Sequence, residues 1–263
     1  MARISIGDIR LNTVDCGRGA PLLLVHGFPL DHRMWRAQID DLSADHRVIA
    51  PDLRGFGRSD VSEGRVTMAR FAEDLVALLS ALGVEPPVTV CGLSMGGYIV
   101  WSLWQRHREW WGRLVLCDTR AEGDSPDASQ TRRQSAQRVL SEGPGFLAEA
   151  MGEVLFSAST RQERPECLRW VREMIATSPR AGVAAALNGM AERSDATALL
   201  GTIDVPTLVV CGAEDTISPP ATMRGLAAGI PSAEYVEIPS AGHLAPLENP
   251  GEVNRVLRRF LGG

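Results

Sequence analysis

VTVCGLSMGGYIV, residues 88–100, runs from a short apolar, β-branched stretch into a turn holding three glycines and one serine. Glycine at a junction between strand and helix costs backbone entropy and adds no packing, so a core alone does not explain Gly92, Gly96 and Gly97. The stretch has companions: PLLLVHG (21–27), RVIAPD (47–52), RLVLCD (113–118), PTLVVCG (206–212) and the weaker AEYVEIP (233–239). Near-continuous apolar runs without polar alternation are what strands covered on both faces look like. Helical spacing lies between them, as in MARFAEDLVALLSALG (68–83), which ends on Gly83. Strand alternating with helix predicts a doubly wound, mostly parallel α/β sheet. The opening ISIGDIRLNTVDCG alternates in polarity around a Gly-Asp turn and predicts an antiparallel hairpin at the sheet edge.

Between about residues 120 and 200 no strand pattern appears, while TRRQSAQRVLSEG, GFLAEAMGEVLFS, ECLRWVREMIATS and AGVAAALNGMAER are helical. A crossover needs only about 12 residues, so this length predicts a helical cap over one end of the sheet. The expected division is a core of 1–119 and 201–263 and a cap of 120–200.

The chain has 263 residues, 44% hydrophobic and 22% charged, with a formal net charge of −5. Acidic and basic residues are interspersed, so neither nucleic acid nor an anionic membrane surface is an expected partner. No apolar run approaches the ~20 residues that cross a bilayer, and the first residues do not read as a signal peptide, so a cytoplasmic location is expected. Five cysteines without a C-x-x-C pair predict free, mostly buried thiols. All 27 basic residues are arginine. The absence of lysine excludes Schiff-base chemistry, a Ser-Lys dyad, covalent pyridoxal and a Walker-type phosphate loop.

Gly92-Leu93-Ser94-Met95-Gly96 fits G-x-S-x-G, and its position after a strand and before a helix makes Ser94 a candidate nucleophile on a strained turn. A serine hydroxyl needs a general base, and the base needs a carboxylate to fix its tautomer. Of five histidines, His243 in SAGHLAPLENP follows the last strand and is the candidate base. His26 reads as a turn-stabilising residue, His107 as a solvated residue at a helix end, and His32 and His46 as residues without a catalytic role. For the acid, GAED at the end of 206–212 offers Asp215 and Glu214, with Asp215 the better turn former. Asp118, after RLVLC, is the structural rival. The tetrahedral oxyanion needs two donors, and the N–H groups of Met95 and Phe28, the latter in HGFPLDHRMW, are the candidates. The Gly-rich PDLRGFGRSD (51–60) lacks the G-x-G-x-x-G spacing of a dinucleotide site.

With HGFPLDHRMW, PDLRGFGRSD, GLSMGG, GAEDTISPP and AGHLAPLENP in this order, the chain resembles the α/β-hydrolase superfamily over essentially its whole length. Within it the chain looks like the small carboxylesterases and 3-oxoadipate enol-lactonases. The resemblance implies an eight-stranded sheet, a helical cap, and a site free of metal and cofactor in which Ser94, Asp215 and His243 form the triad and Phe28 and Met95 the oxyanion hole. The expected substrate is a small-molecule ester or lactone, with Phe28, Met95, Ile217 and Leu244 lining its site. An oxoadipate lactone carries a carboxylate, for which Arg120 and Arg33 are the candidate partners. In the cap, Phe146, Met151, Leu155, Phe156, Trp170 and Met174 are pocket walls or helix-packing residues. The expectation is an ester hydrolase acting through an acyl-enzyme; an enol-lactonase with the same triad and a non-catalytic ligand-binding protein are the alternatives.

Overall fold

A computed structural model describes residues 1–262. Its centre is an eight-stranded sheet of order β1-β2-β4-β3-β5-β6-β7-β8. The strands are β1 (Ala2–Ile6), β2 (Ile9–Cys16), β3 (Ala20–Val25), β4 (His46–Pro51), β5 (Val88–Leu93), β6 (Trp111–Cys117), β7 (Thr207–Gly212) and β8 (Ala233–Ile238). β1 pairs antiparallel with β2, and β2 antiparallel with β4; the pairs from β4 through β3 to β8 are parallel. The expected edge hairpin is thus β1-β2, turning at Gly7 with φ +67°. β5 and β7 are buried at every residue, which is why their sequences lack alternation.

The helices are α1 (Arg36–Leu42), α2 (Met68–Ala81), α3 (Met95–Arg106), α4 (Pro126–Glu142), α5 (Gly145–Val154), α6 (Ala158–Glu163), α7 (Pro165–Ala176), α8 (Arg180–Met190), α9 (Pro220–Ala228), α10 (Ala245–Glu248) and α11 (Pro250–Gly262). α4 to α8 fill the interval between β6 and β7. Four of these five correspond to the helical patterns in the sequence; α6, six residues long, did not show because one and a half turns carry no readable period. The Ser157 hydroxyl caps α6 by accepting from Thr160 N–H. Among the six apolar residues named for this interval, Leu155, Phe156 and Met174 are buried, while Phe146, Met151 and Trp170 are half-buried.

Phe28, His26 and Phe71 pack around Phe56, which is fully buried. Cys91, Cys117 and Cys211 are buried free thiols; Cys16 and Cys167 are free and half-buried.

Candidate active site

β5 delivers Ser94 to the start of α3. Its backbone sits at φ +53°, ψ −111°, a region that a non-glycine residue occupies only when its surroundings impose it. The glycines leave room for that turn. A Cβ on Gly92 would stand 2.6 Å from the carbonyl carbon of Gly96, and one on Gly96 would stand 2.4 Å from the Val25 carbonyl oxygen at the end of β3. Gly97 has another reason: a Cβ there would meet the Thr119 hydroxyl at 2.3 Å, so it permits α3 to pack against the segment after β6.

The structure brings three distant side chains into line. His243 Nε2 lies 2.9 Å from Ser94 Oγ, and His243 Nδ1 lies 2.8 Å from Asp215 Oδ2. Asp215 Oδ1 accepts from the N–H groups of Ile217 and Ser218 at 2.7 and 3.0 Å. Burial pushes the Asp215 carboxyl up, but the hydrogen bond and charge of His243 and the two N–H groups outweigh it and hold it below the usual carboxylate range. Asp215 and His243 are both almost fully buried, so the imidazole has one orientation available.

The other acid candidates face elsewhere. Glu214 Oε2 accepts from Ala158 N–H at 3.3 Å. Asp118 Oδ1 accepts from Gly212 N–H at 2.7 Å, and its Oδ2 has no partner among the described residues.

Met95 is the first residue of α3, so its N–H has no acceptor within the helix. Phe28 lies just after Gly27, where a Cβ would approach Leu93 Cδ2 to 2.7 Å and Ser94 Cβ to 3.5 Å, so this loop passes directly over the serine. His26 fixes the loop as a turn-stabilising residue: its Nε2 accepts from Leu53 N–H at 3.0 Å, and its Nδ1 is 2.9 Å from the Gly27 carbonyl. Burial pushes the His26 imidazole down, towards its neutral form, which is the form that accepts at Nε2 and donates at Nδ1.

A cavity of about 350 Å³ opens beside Phe28, lined also by Ala128, Thr131, Leu147, Met151 and Leu187. Its charged member, Arg132, is paired with Asp124. Met95 and Leu244 are buried, and Ile217 is half-buried. Arg33 is held by Asp31 through Nε and Nη2 at 2.9 and 2.7 Å. Arg120 differs: it donates to the Ile217 carbonyl, its Nε is buried without a partner, and it has no carboxylate partner among the described residues.

The sequence reading missed two residues. Glu248 is a buried carboxylate that accepts from Gly242 and Leu244 N–H, on either side of His243, and from Ser157 N–H at the start of α6. Asp52 accepts from His32 N–H and Nδ1, Arg58 N–H and Asn12 Nδ2, and so organises the Gly-rich turn at 51–60. No local motif announces either, because their partners come from other segments. His32 is accordingly a buried partner of Asp52, and His107 lies at the end of α3 as expected, half-buried, with its Nε2 3.1 Å from Glu73 Oε2. Asp31, His32 and Asp52 lie close enough to suggest metal ligation, as do Asp118, Cys211 and Asp215. In both groups protein donors already occupy carboxylates, Asp52 and Asp215 above all, and this favours a structural reading over a cation site.

A sequence profile of the alpha/beta hydrolase fold matches residues 20–250. A thermophilic esterase from Thermogutta terrifontis, solved with malate bound, superposes with a TM-score of 0.97 at 47% identity, covering 99% of this chain and 97% of that one. The enol-lactonase from Burkholderia xenovorans superposes at 0.92 and 29% identity, with 100% of both chains covered. In sequence, 3-oxoadipate enol-lactonase 2 of Acinetobacter baylyi is 27% identical over 96% of this chain and 95% of its own.

Proposed function

We propose that this chain, which belongs to the alpha/beta hydrolase fold family, is a serine hydrolase cleaving carboxylic esters of small to medium acyl groups through an acyl-enzyme. The observation that carries the reading is the Ser94–His243–Asp215 hydrogen-bonded line at 2.9 and 2.8 Å. Ser94 Oγ attacks the ester carbonyl while His243 Nε2 takes its proton. Asp215 fixes the imidazole and stabilises its cation, and the Met95 and Phe28 N–H groups receive the oxyanion. His243 then protonates the leaving alcohol, and a water activated by the same imidazole hydrolyses the acyl-enzyme. The helices of 120–200 act as a cap over this site, and the cavity beside Phe28 receives an apolar substituent of the substrate. We place the protein in the cytoplasm, as the sequence leads one to expect; no helix among the described residues is long and apolar enough to cross a membrane.

One observation favours a second reading, an enol-lactonase of the 3-oxoadipate type. The Arg120 guanidinium donates to the Ile217 carbonyl, two residues from Asp215, and has no carboxylate partner among the described residues, so in this reading it receives the carboxylate of the substrate. The esterase reading stands first because the cavity beside Phe28 is lined mainly by apolar side chains and its arginine is neutralised by Asp124.

A fluorophosphonate probe should label Ser94 and fail on Ser94→Ala and His243→Ala; an unlabelled wild-type chain overturns the proposal. Comparing kcat/KM on p-nitrophenyl acetate and butyrate with that on a carboxylated enol-lactone separates the two readings. A strong preference for the lactone, lost in Arg120→Met, would replace the first with the second.

A further inference from the structure

Asp118 is a carboxyl group that the proposed reaction does not use, and its setting is unfavourable in two ways. It is fully buried, and its backbone lies in the left-handed region at φ +45°, a conformation retained only where the surrounding structure imposes it. Its Oδ1 receives one hydrogen bond, from Gly212 N–H at 2.7 Å, and its Oδ2 receives none among the described residues. An ionised carboxylate has about four acceptor sites to satisfy, so a buried one with a single donor is poorly solvated.

Among the described residues, the groups that act on it most strongly carry no positive charge. Atoms of Asp118, Cys211 and Asp215 all lie within 4.8 Å of one another, with Cys117 adjacent in the chain and Glu248 also acting on it. His243 turns its Nδ1 to Asp215 and its Nε2 to Ser94. Asp118 and Asp215 therefore share one buried region. Asp215 has His243 and two N–H groups to stabilise its charge, whereas Asp118 has one N–H group. Like charges at this separation do not both persist without solvent, and the proton goes to the less stabilised member.

We propose that Asp118 is held in the folded protein as a neutral, proton-bearing carboxyl group and acts as a positioning residue, anchoring the end of β7 through Gly212 without placing a second negative charge beside Asp215. Burial first, then the Asp215 charge, push this carboxyl well above the ordinary range, in agreement with the geometry. The positioning role rests on the serine-hydrolase reading; the protonation does not.

A carboxyl group that keeps its proton in the fold releases it on unfolding at about pH 4, so above that pH the folded state binds the extra proton and stability falls as pH rises. Asp118→Asn keeps the shape and the acceptor oxygen, tolerates the left-handed backbone, and removes the titration. Thermal unfolding of both proteins from about pH 4 to about pH 8 should therefore show a melting-temperature advantage for Asp118→Asn that grows with pH. An advantage that is constant or shrinks with pH overturns the proposal. Infrared spectra of wild-type protein carrying ¹³C-labelled aspartate should show a protonated-carboxyl band at neutral pH that is missing in Asp118→Asn; its absence from the wild type also overturns it. For the positioning role, Asp118→Asn should retain kcat, while Asp118→Ala, which orphans Gly212 N–H, should lose roughly tenfold. Equal losses in both would remove that role. Failure of fluorophosphonate labelling would sink the hydrolase reading and leave the infrared and pH results standing.

Discussion

Gly92 and Gly96 face each other across the Ser94 turn so closely that a Cβ on the first would stand 2.6 Å from the carbonyl carbon of the second. Both neighbours are backbone, so neither can rotate away. Gly96→Ala, whose added Cβ would press on the Val25 carbonyl oxygen at 2.4 Å, should lose about 1–3 kcal/mol in denaturant unfolding. Because the Val25 carbonyl immediately precedes the His26–Phe28 loop, the same variant should label slowly with a fluorophosphonate.

Asp215→Asn should leave folding nearly intact and cost about 10⁴ in kcat, since the amide offers His243 the wrong tautomer partner. Glu214→Gln, whose side chain reaches Ala158 N–H and not the imidazole, should keep kcat near wild type. Steady-state kinetics on p-nitrophenyl butyrate decides both, and a full loss in Glu214→Gln would reverse the assignment.

Glu248 should matter to a degree its sequence context does not suggest. Glu248→Ala leaves the N–H groups of Gly242, Leu244 and Ser157 without their acceptor, at about 1–3 kcal/mol for each buried group left unsatisfied. We expect a lowered melting temperature together with a lowered kcat, because two of the three flank His243. Glu248→Gln, which keeps one acceptor oxygen, should recover part of both.

Asp52 gives a pH signature. Burial raises its carboxyl, but the His32 hydrogen bond and charge and the N–H groups of Arg58 and His32 prevail and bring it from 3.8 down to about 2. A folded value below the unfolded one adds stability above pH about 4 that is lost as pH falls towards about 2, on the order of 2 kcal/mol. Asp52→Asn should lower stability at neutral pH and flatten its fall in that acid window, as read by denaturant unfolding at stepped pH. An unchanged slope would count against the role of this carboxylate as a charged hub.

Leu187 lies on α8 and lines the cavity beside Phe28. Leu187→Trp should shorten that cavity and reduce kcat/KM for p-nitrophenyl hexanoate by about tenfold while sparing the acetate. Equal effects on both esters would mean that the cavity does not receive the acyl chain.

Much of this was legible in the chain because it rests on short-range physics. Apolar runs of six or so residues, helical spacing and glycine at a strained turn are local properties, so the sheet, its edge hairpin, the helical interval and the elbow at Ser94 follow from neighbouring residues alone. The order of GLSMGG, GAED and AGHL likewise named Ser94, Asp215 and His243 as candidates, but left Asp215, Glu214 and Asp118 in competition. Which carboxylate faces the imidazole depends on how β6, β7 and the loop after β8 stack, and His243 meets a serine 149 residues away. The same reason hid Glu248, Asp52 and the Asp118 oxygen that has no partner among the described residues. Their chemistry is made by partners from several segments converging in a buried space, and only the tertiary structure decides which partners arrive.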